Sequence, residues 1–181
     1  CTTASEALEI VANYMRLAGK TLSFIEPCFD NLADIYKRHD IPLTPFPDEY
    51  LESPQIGEFL ANSTSTAICL VTPNNPTGTT LTQENFAKLL THCKERDVFL
   101  ALDNCFRAYI PDGQIYDQYG MIIDSGIDYA MIEDTGKTWP TMELKVPILA
   151  VSNSVYQPIY DIYTDFLYHV SPFSVQLMTE F

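Results

Sequence analysis

The feature that most constrains this chain is a repeated hand-over from short, unbroken apolar runs to stretches with helical recurrence. Thr66 to Thr72 (TAICLVT) and Val98 to Leu102 (VFLAL) are apolar at every interior position rather than at alternate ones. Such strands need cover on both faces, which is the habit of a parallel sheet sandwiched between helices. Ile127 to Ile132 and Ile148 to Val151 read the same way, and Thr21 to Ile25 is a β-prone run closed by Glu26-Pro27. Between them, Ser5 to Leu17, Asn31 to His39, Ile56 to Ala61, Tyr156 to Tyr168 and Pro172 to Phe181 carry helical patterns. Thr82 is placed to cap a helix that runs to Arg96 with Phe86, Leu89, Leu90 and Cys93 on one face. Four prolines between Pro42 and Pro54 exclude regular helix there. The expected fold class is α/β, a three-layer α/β/α sandwich with a mostly parallel central sheet.

Composition sets outer limits. With 181 residues the chain suits one domain, and 46% apolar against 19% charged residues is a globular balance. Acidic residues outnumber basic ones 24 to 10, and a formal charge of -14 argues against nucleic acid as a partner. Neither a bilayer-spanning run nor a secretory leader is visible, so no membrane partner is expected. The five cysteines are odd in number and show no C-x-x-C pair, which fits reduced thiols in the cytoplasm. Their separation from His39, His92 and His169 argues against a zinc site.

Ligands in sheets of this kind bind beyond the carboxyl ends of the strands. Three strand ends carry polar residues of useful kinds. Thr72-Pro-Asn-Asn-Pro-Thr-Gly78 can hold the Asn75 amide rigidly, although Asn, Pro and Gly also make plain turns. Asp103 ends the VFLAL strand, and a carboxylate there needs a partner. In Glu133-Asp-Thr-Gly-Lys137-Thr-Trp139, a lysine on a Gly-containing loop is either a nucleophile in the same crevice or an ordinary solvated side chain.

Together these segments resemble the class I/II aminotransferases, fold type I of the pyridoxal-phosphate (PLP) enzymes. The resemblance covers nearly the whole chain. It runs from Cys1-Thr-Thr-Ala-Ser-Glu-Ala-Leu8 through Glu26-Pro-Cys-Phe29, Asn-Asn-Pro-Thr-Gly78 and Leu-Asp103 to Gly-Lys137. It implies a PLP-binding large domain over 1–181, with the N-terminal arm and the C-terminal small domain outside it. It also implies a homodimer acting on an amino acid and a 2-oxo acid. Position by position, Ser5 with the amides of Ala4 and Glu6 corresponds to the phosphate site at a helix N-terminus. Phe29 corresponds to the aromatic against the pyridine ring, and Asn75 to the donor to its phenolic oxygen. Asp103 corresponds to the carboxylate on the ring nitrogen. Lys137 corresponds to the lysine that forms the Schiff base and then moves the α-proton.

Three positions depart from the family pattern. Phe106 stands where a tyrosine is usual. Asp134 stands where a serine contacts phosphate, leaving Thr135 to supply a hydroxyl. Lys145 replaces an arginine, keeping its charge without the bidentate fork. Arg107 has no counterpart. The expected function is amino-group transfer through PLP. The alternatives are another PLP reaction (elimination, decarboxylation or a specialised biosynthetic step) or a non-catalytic homologue.

Overall fold

The computed structural model of the chain describes residues 1–139, 145–165 and 170–180. Six strands form one sheet in the order β2-β1-β3-β4-β5-β6. They are β1 (Leu22–Glu26), β2 (Leu43–Pro47), β3 (Ala67–Val71), β4 (Phe99–Asp103), β5 (Tyr129–Glu133) and β6 (Ile148–Val151). All neighbours pair parallel except β5 and β6, which are antiparallel. The helices are α1 (Ala4–Leu17), α2 (Asp30–Arg38), α3 (Gln55–Asn62), α4 (Gln83–Arg96), α5 (Gln118–Ser125), α6 (Thr135–Thr138), α7 (Asn153–Asp165) and α8 (Pro172–Met178). α1 packs with α2 and α7, and α4 packs with α3 and α5, so helices flank the sheet in two groups. This is the expected mostly parallel α/β architecture.

Every residue of β3 and β4 is buried, which is what their unbroken apolar composition requires. Each large aliphatic side chain so buried contributes on the order of 1.5–3 kcal/mol. The chain makes its helix boundaries with side-chain caps. Thr3 accepts a bond from the Glu6 amide at 3.0 Å, and Thr82 accepts one from the Asn85 amide at 3.2 Å. Asp97 ends α4 in the left-handed region at φ 54°.

Three elements differ from expectation. The proline-rich stretch contains β2, an edge strand in which only Phe46 is buried. Proline is tolerated there because an edge strand has one side with no ladder to serve. α5 occupies a segment without clear periodicity, held at its start by Asp117 accepting from Gly120 N at 2.8 Å. The lysine segment, expected as a loop, forms the single turn α6. Of the expected C-terminal helices, Phe166 to Tyr168 and Phe181 lie outside the described residues, as does His169.

Candidate active site

A cavity of ≈ 270 Å³ opens beyond the carboxyl ends of the central strands, against the first turn of α1. Its lining brings together Ala4 and Ser5, Phe29, Asn75, Asp103, Phe106, Lys137 and Lys145. These residues come from six separate places in the chain. The parallel sheet delivers them to one edge because β1, β3, β4 and β5 all point the same way. Asp103 sits level with Val71 on one neighbour and Ile132 on the other, so its side chain shares a face with Val71, which also lines the cavity.

Asp103 is buried, and one carboxylate oxygen accepts from the Cys105 amide at 3.0 Å. Burial raises its pKa, Cys105 opposes the rise, nearby Asp134 adds to it and Lys137 opposes it. Lys137 is exposed, and its Nζ lies 5.8 Å from the centroid of the Phe106 ring. This is cation–π distance, so the aromatic that replaces tyrosine serves here as a platform for the ammonium. The Tyr109 hydroxyl donates to the Lys137 carbonyl at 2.8 Å and fixes the backbone of α6.

Asn75 owes its position to its neighbour. Asn74 Nδ2 donates to Asp48 Oδ2 at 2.9 Å and to the Pro27 carbonyl at 2.8 Å, and Thr77 Oγ1 donates to Asp48 Oδ2 at 2.5 Å. The Gly78 amide closes the turn onto the Asn74 carbonyl at 2.8 Å, and Gly78 takes φ +79°, a conformation that favours glycine. Asp48, Asn74 and Thr77 were not singled out in the sequence. The only signal for Asn74 and Thr77 was the clustering of Asn, Thr and Pro, which any turn shares, and Asp48 had none.

Two expected residues lie elsewhere. Glu6 does not line the cavity. Its amide is taken by Thr3, and its carboxylate accepts from the Thr2 amide and hydroxyl, both at 2.5 Å, in the reciprocal manner of a helix cap. Thr135 is also turned away: its hydroxyl accepts from the Val146 amide at 2.9 Å. It therefore pins the segment next to Lys145 rather than facing the cavity. Arg107 leaves the site as well, pairing with Glu133 at 2.5 Å and lying over Tyr119.

The cup around Ser5 suits an anion. α1 is a 14-residue helix whose Ala4 and Ser5 amides, like the Ser5 hydroxyl, have no hydrogen-bond partner among the described residues. Lys145 adds a cation, and its stem runs against Gly136. A Cβ on that glycine would stand 2.9 Å from both Lys145 Cβ and Cδ. Across the cavity, buried Asp103 offers a carboxylate to a cation.

Residues 2–155 match the family described as aminotransferase class I and II. The chain belongs to this family. Among solved structures, one of MppP soaked with the product 2-ketoarginine superposes with TM-score 0.84 at 34% identity, over 96% of this chain and 49% of that one. An aromatic amino acid aminotransferase from Burkholderia cenocepacia J2315 gives 0.78 at 14% identity, over 96% and 48%. A PLP-bound structure from Clostridium difficile 630 gives 0.75 at 16%, over 92% and 46%. A curated relative, the LL-diaminopimelate aminotransferase of Parabacteroides distasonis, is 44% identical over 43 residues, 24% of this chain and 10% of that protein. The chain thus spans about half the length of the solved structures named here.

Proposed function

We propose that this chain is the cofactor-binding part of a PLP-dependent enzyme that moves an amino group between an amino acid and a 2-oxo acid. The observation that carries the reading is the meeting of Asn75, Asp103, Lys137 and the start of α1 around one cavity. When bound, PLP supplies an aldehyde and an electron-withdrawing ring. The residues present fit it. The free amides of Ala4 and Ser5, the Ser5 hydroxyl and Lys145 would hold its phosphate. Asp103 would hold a proton on the ring nitrogen, Asn75 would donate to the ring oxygen, and Phe29 would cover the ring. Lys137 would be the amine that holds the aldehyde, and its Nζ would be the base for the substrate's α-proton.

Amino acid and 2-oxo acid substrates, a homodimeric full-length protein and a cytoplasmic location belong to the same reading. All five cysteines being free thiols supports the last. After PLP is added and the unbound cofactor removed by gel filtration, the protein is expected to keep an absorption band near the visible edge that Lys137→Ala does not keep. A wild-type protein that keeps no such band would sink the reading.

A second reading, a different PLP reaction, is favoured by Phe106, which brings no hydroxyl to the cavity and instead faces Lys137. MppP, the 34% identical structure, has a 2-oxo acid product that carries a guanidinium group, so a cationic amino acid is a natural first substrate to try. Half-transamination with a panel of amino acids separates the two. Conversion of bound PLP to its amine form supports transfer, and release of ammonia or carbon dioxide supports the alternative.

A further inference from the structure

The anion cup at the start of α1 contains a carboxylate. Asp134 lines the cavity and is 4% exposed. Its Oδ1 accepts from the Gly136 amide at 2.9 Å, while its second oxygen has no hydrogen-bond partner among the described residues. No ammonium or guanidinium among the described residues comes within 4.0 Å of it. Lys145 and Asp134 lie against the same glycine: the point where a Gly136 Cβ would stand is 2.9 Å from Lys145 Cδ and 3.2 Å from Asp134 Oδ1.

The charge count of the cup follows. One ammonium (Lys145) and one carboxylate (Asp134) cancel, and the helix end adds roughly half a positive charge. A doubly charged phosphate monoester would bring its oxygens against a buried, partly unpartnered carboxylate. Like charges at hydrogen-bond distance in a poorly solvated site are strongly unfavourable. A singly charged ester has a P–O–H group, and that group can donate to Asp134.

Resting on the proposed cofactor reading, we propose that this cup takes its phosphate monoester as the monoanion. The remaining phosphate proton is donated to Asp134, and the other oxygens accept from the Ala4 and Ser5 amides, the Ser5 hydroxyl and Lys145. The charged and titratable groups around Asp134 are Asp103 and Cys105 at the end of β4, Lys137 on α6, Lys145 ahead of β6 and, across a neighbouring cavity that Asp134 also lines, the Arg107–Glu133 pair. Glu6 on α1 is turned to Thr2 instead. Because a phosphate monoester loses its second proton near pH 6, binding is expected to weaken as pH rises through that value.

The probe is pyridoxine 5′-phosphate, which lacks the aldehyde and so bypasses Lys137, with pyridoxine as the reference for the rest of the cavity. Titrations on the intact protein at pH 5.5 and 7.5 are expected to show the phosphate's contribution to affinity falling by about 25-fold, the drop in monoanion fraction for a second pKa of about 6. Phosphorus NMR of the bound ester at pH 7.5 is expected at the monoanion position. Asp134→Asn keeps the acceptor for Gly136 and adds a donor. It should bind the dianion, replace the fall with a rise of about fourfold, the growth of the dianion fraction for the same pKa, and move the resonance to the dianion position. A flat wild-type profile, a dianion resonance in the wild type, or an unchanged profile in Asp134→Asn overturns the inference while leaving the cofactor reading intact. Binding of neither compound at any pH overturns both.

Discussion

Burial lifts the pKa of Asp103, and Asp134 adds to the rise against the opposing Cys105 and Lys137. A carboxyl whose folded pKa lies above its unfolded value weakens the fold where it is ionised, and the loss disappears as pH falls below the unfolded value near 3.9. Asp103→Asn is therefore expected to raise the melting temperature of the cofactor-free protein at pH 7.5, by about 2–4 °C for each kcal/mol recovered, with the gain vanishing towards pH 4. The same variant, loaded with PLP, is expected to lose α-proton exchange measured in heavy water. Equal melting temperatures for the two proteins at pH 7.5 would contradict the assigned burial strain. At Gly136 the neighbour is the Lys145 stem, including its Cβ, which cannot swing aside. Gly136→Ala should cost about 1–3 kcal/mol in urea unfolding and weaken phosphate-ester binding through the displaced lysine. At this scale the positions of Asn75, Asp103 and Lys137 were legible, because a polar residue directly behind an apolar strand has only one end of the sheet to occupy. Glu6 and Thr135 lie away from the cavity because their nearest needs are local: a helix's first turn and the segment ahead of β6 claim them before any ligand can.

The element that carries Asn75 depends on Asp48, which arrives from just beyond β2. Burial by itself raises the Asp48 pKa, but bonds from Thr77, Asn74, Thr79 and the Glu49 amide outweigh it and leave the carboxyl below its usual value. The stability this contributes is fully present above the unfolded pKa near 3.9 and is lost as pH falls through the lower folded value. Asp48→Ala is expected to destabilise the protein by about 2–3 kcal/mol at pH 7 and to reduce the affinity for PLP by loosening the Asn75 turn. Denaturant midpoints should show wild type and variant converging at strongly acid pH. An equal difference at pH 7 and pH 2 would count against the carboxylate as the source. β2 itself was not legible, since Pro45 and Pro47 argue against an interior strand and only its edge position excuses them. α5 was missed because its buried residues, Gln118 and Ile122, are too few to make a stripe.

Across the whole molecule the formal charge is -14, and among the described residues ion pairs such as Arg107–Glu133 and Lys88–Glu84 are few. Net charge of that size weakens the compact state through self-repulsion, and salt screens it over about 10 Å at 0.1 M. Raising sodium chloride from about 0.02 to 0.3 M should raise the melting temperature in calorimetry. A fall would mean that attractive pairs dominate. The layered α/β class followed from apolar strands alternating with capped helices, whereas the strand order and the reversal of β6 did not. Those depend on which edges meet, and no local pattern encodes a meeting of distant edges. The level alignment of Val71, Asp103 and Ile132 has a consequence for how such a chain tolerates change. Side chains on a strand alternate sides, so deleting one codon between Phe99 and Asp103 would turn the carboxylate towards the opposite helical layer. The gene would still encode all the groups that line the crevice, and the chemistry would be gone, silenced by parity rather than by the loss of a functional residue.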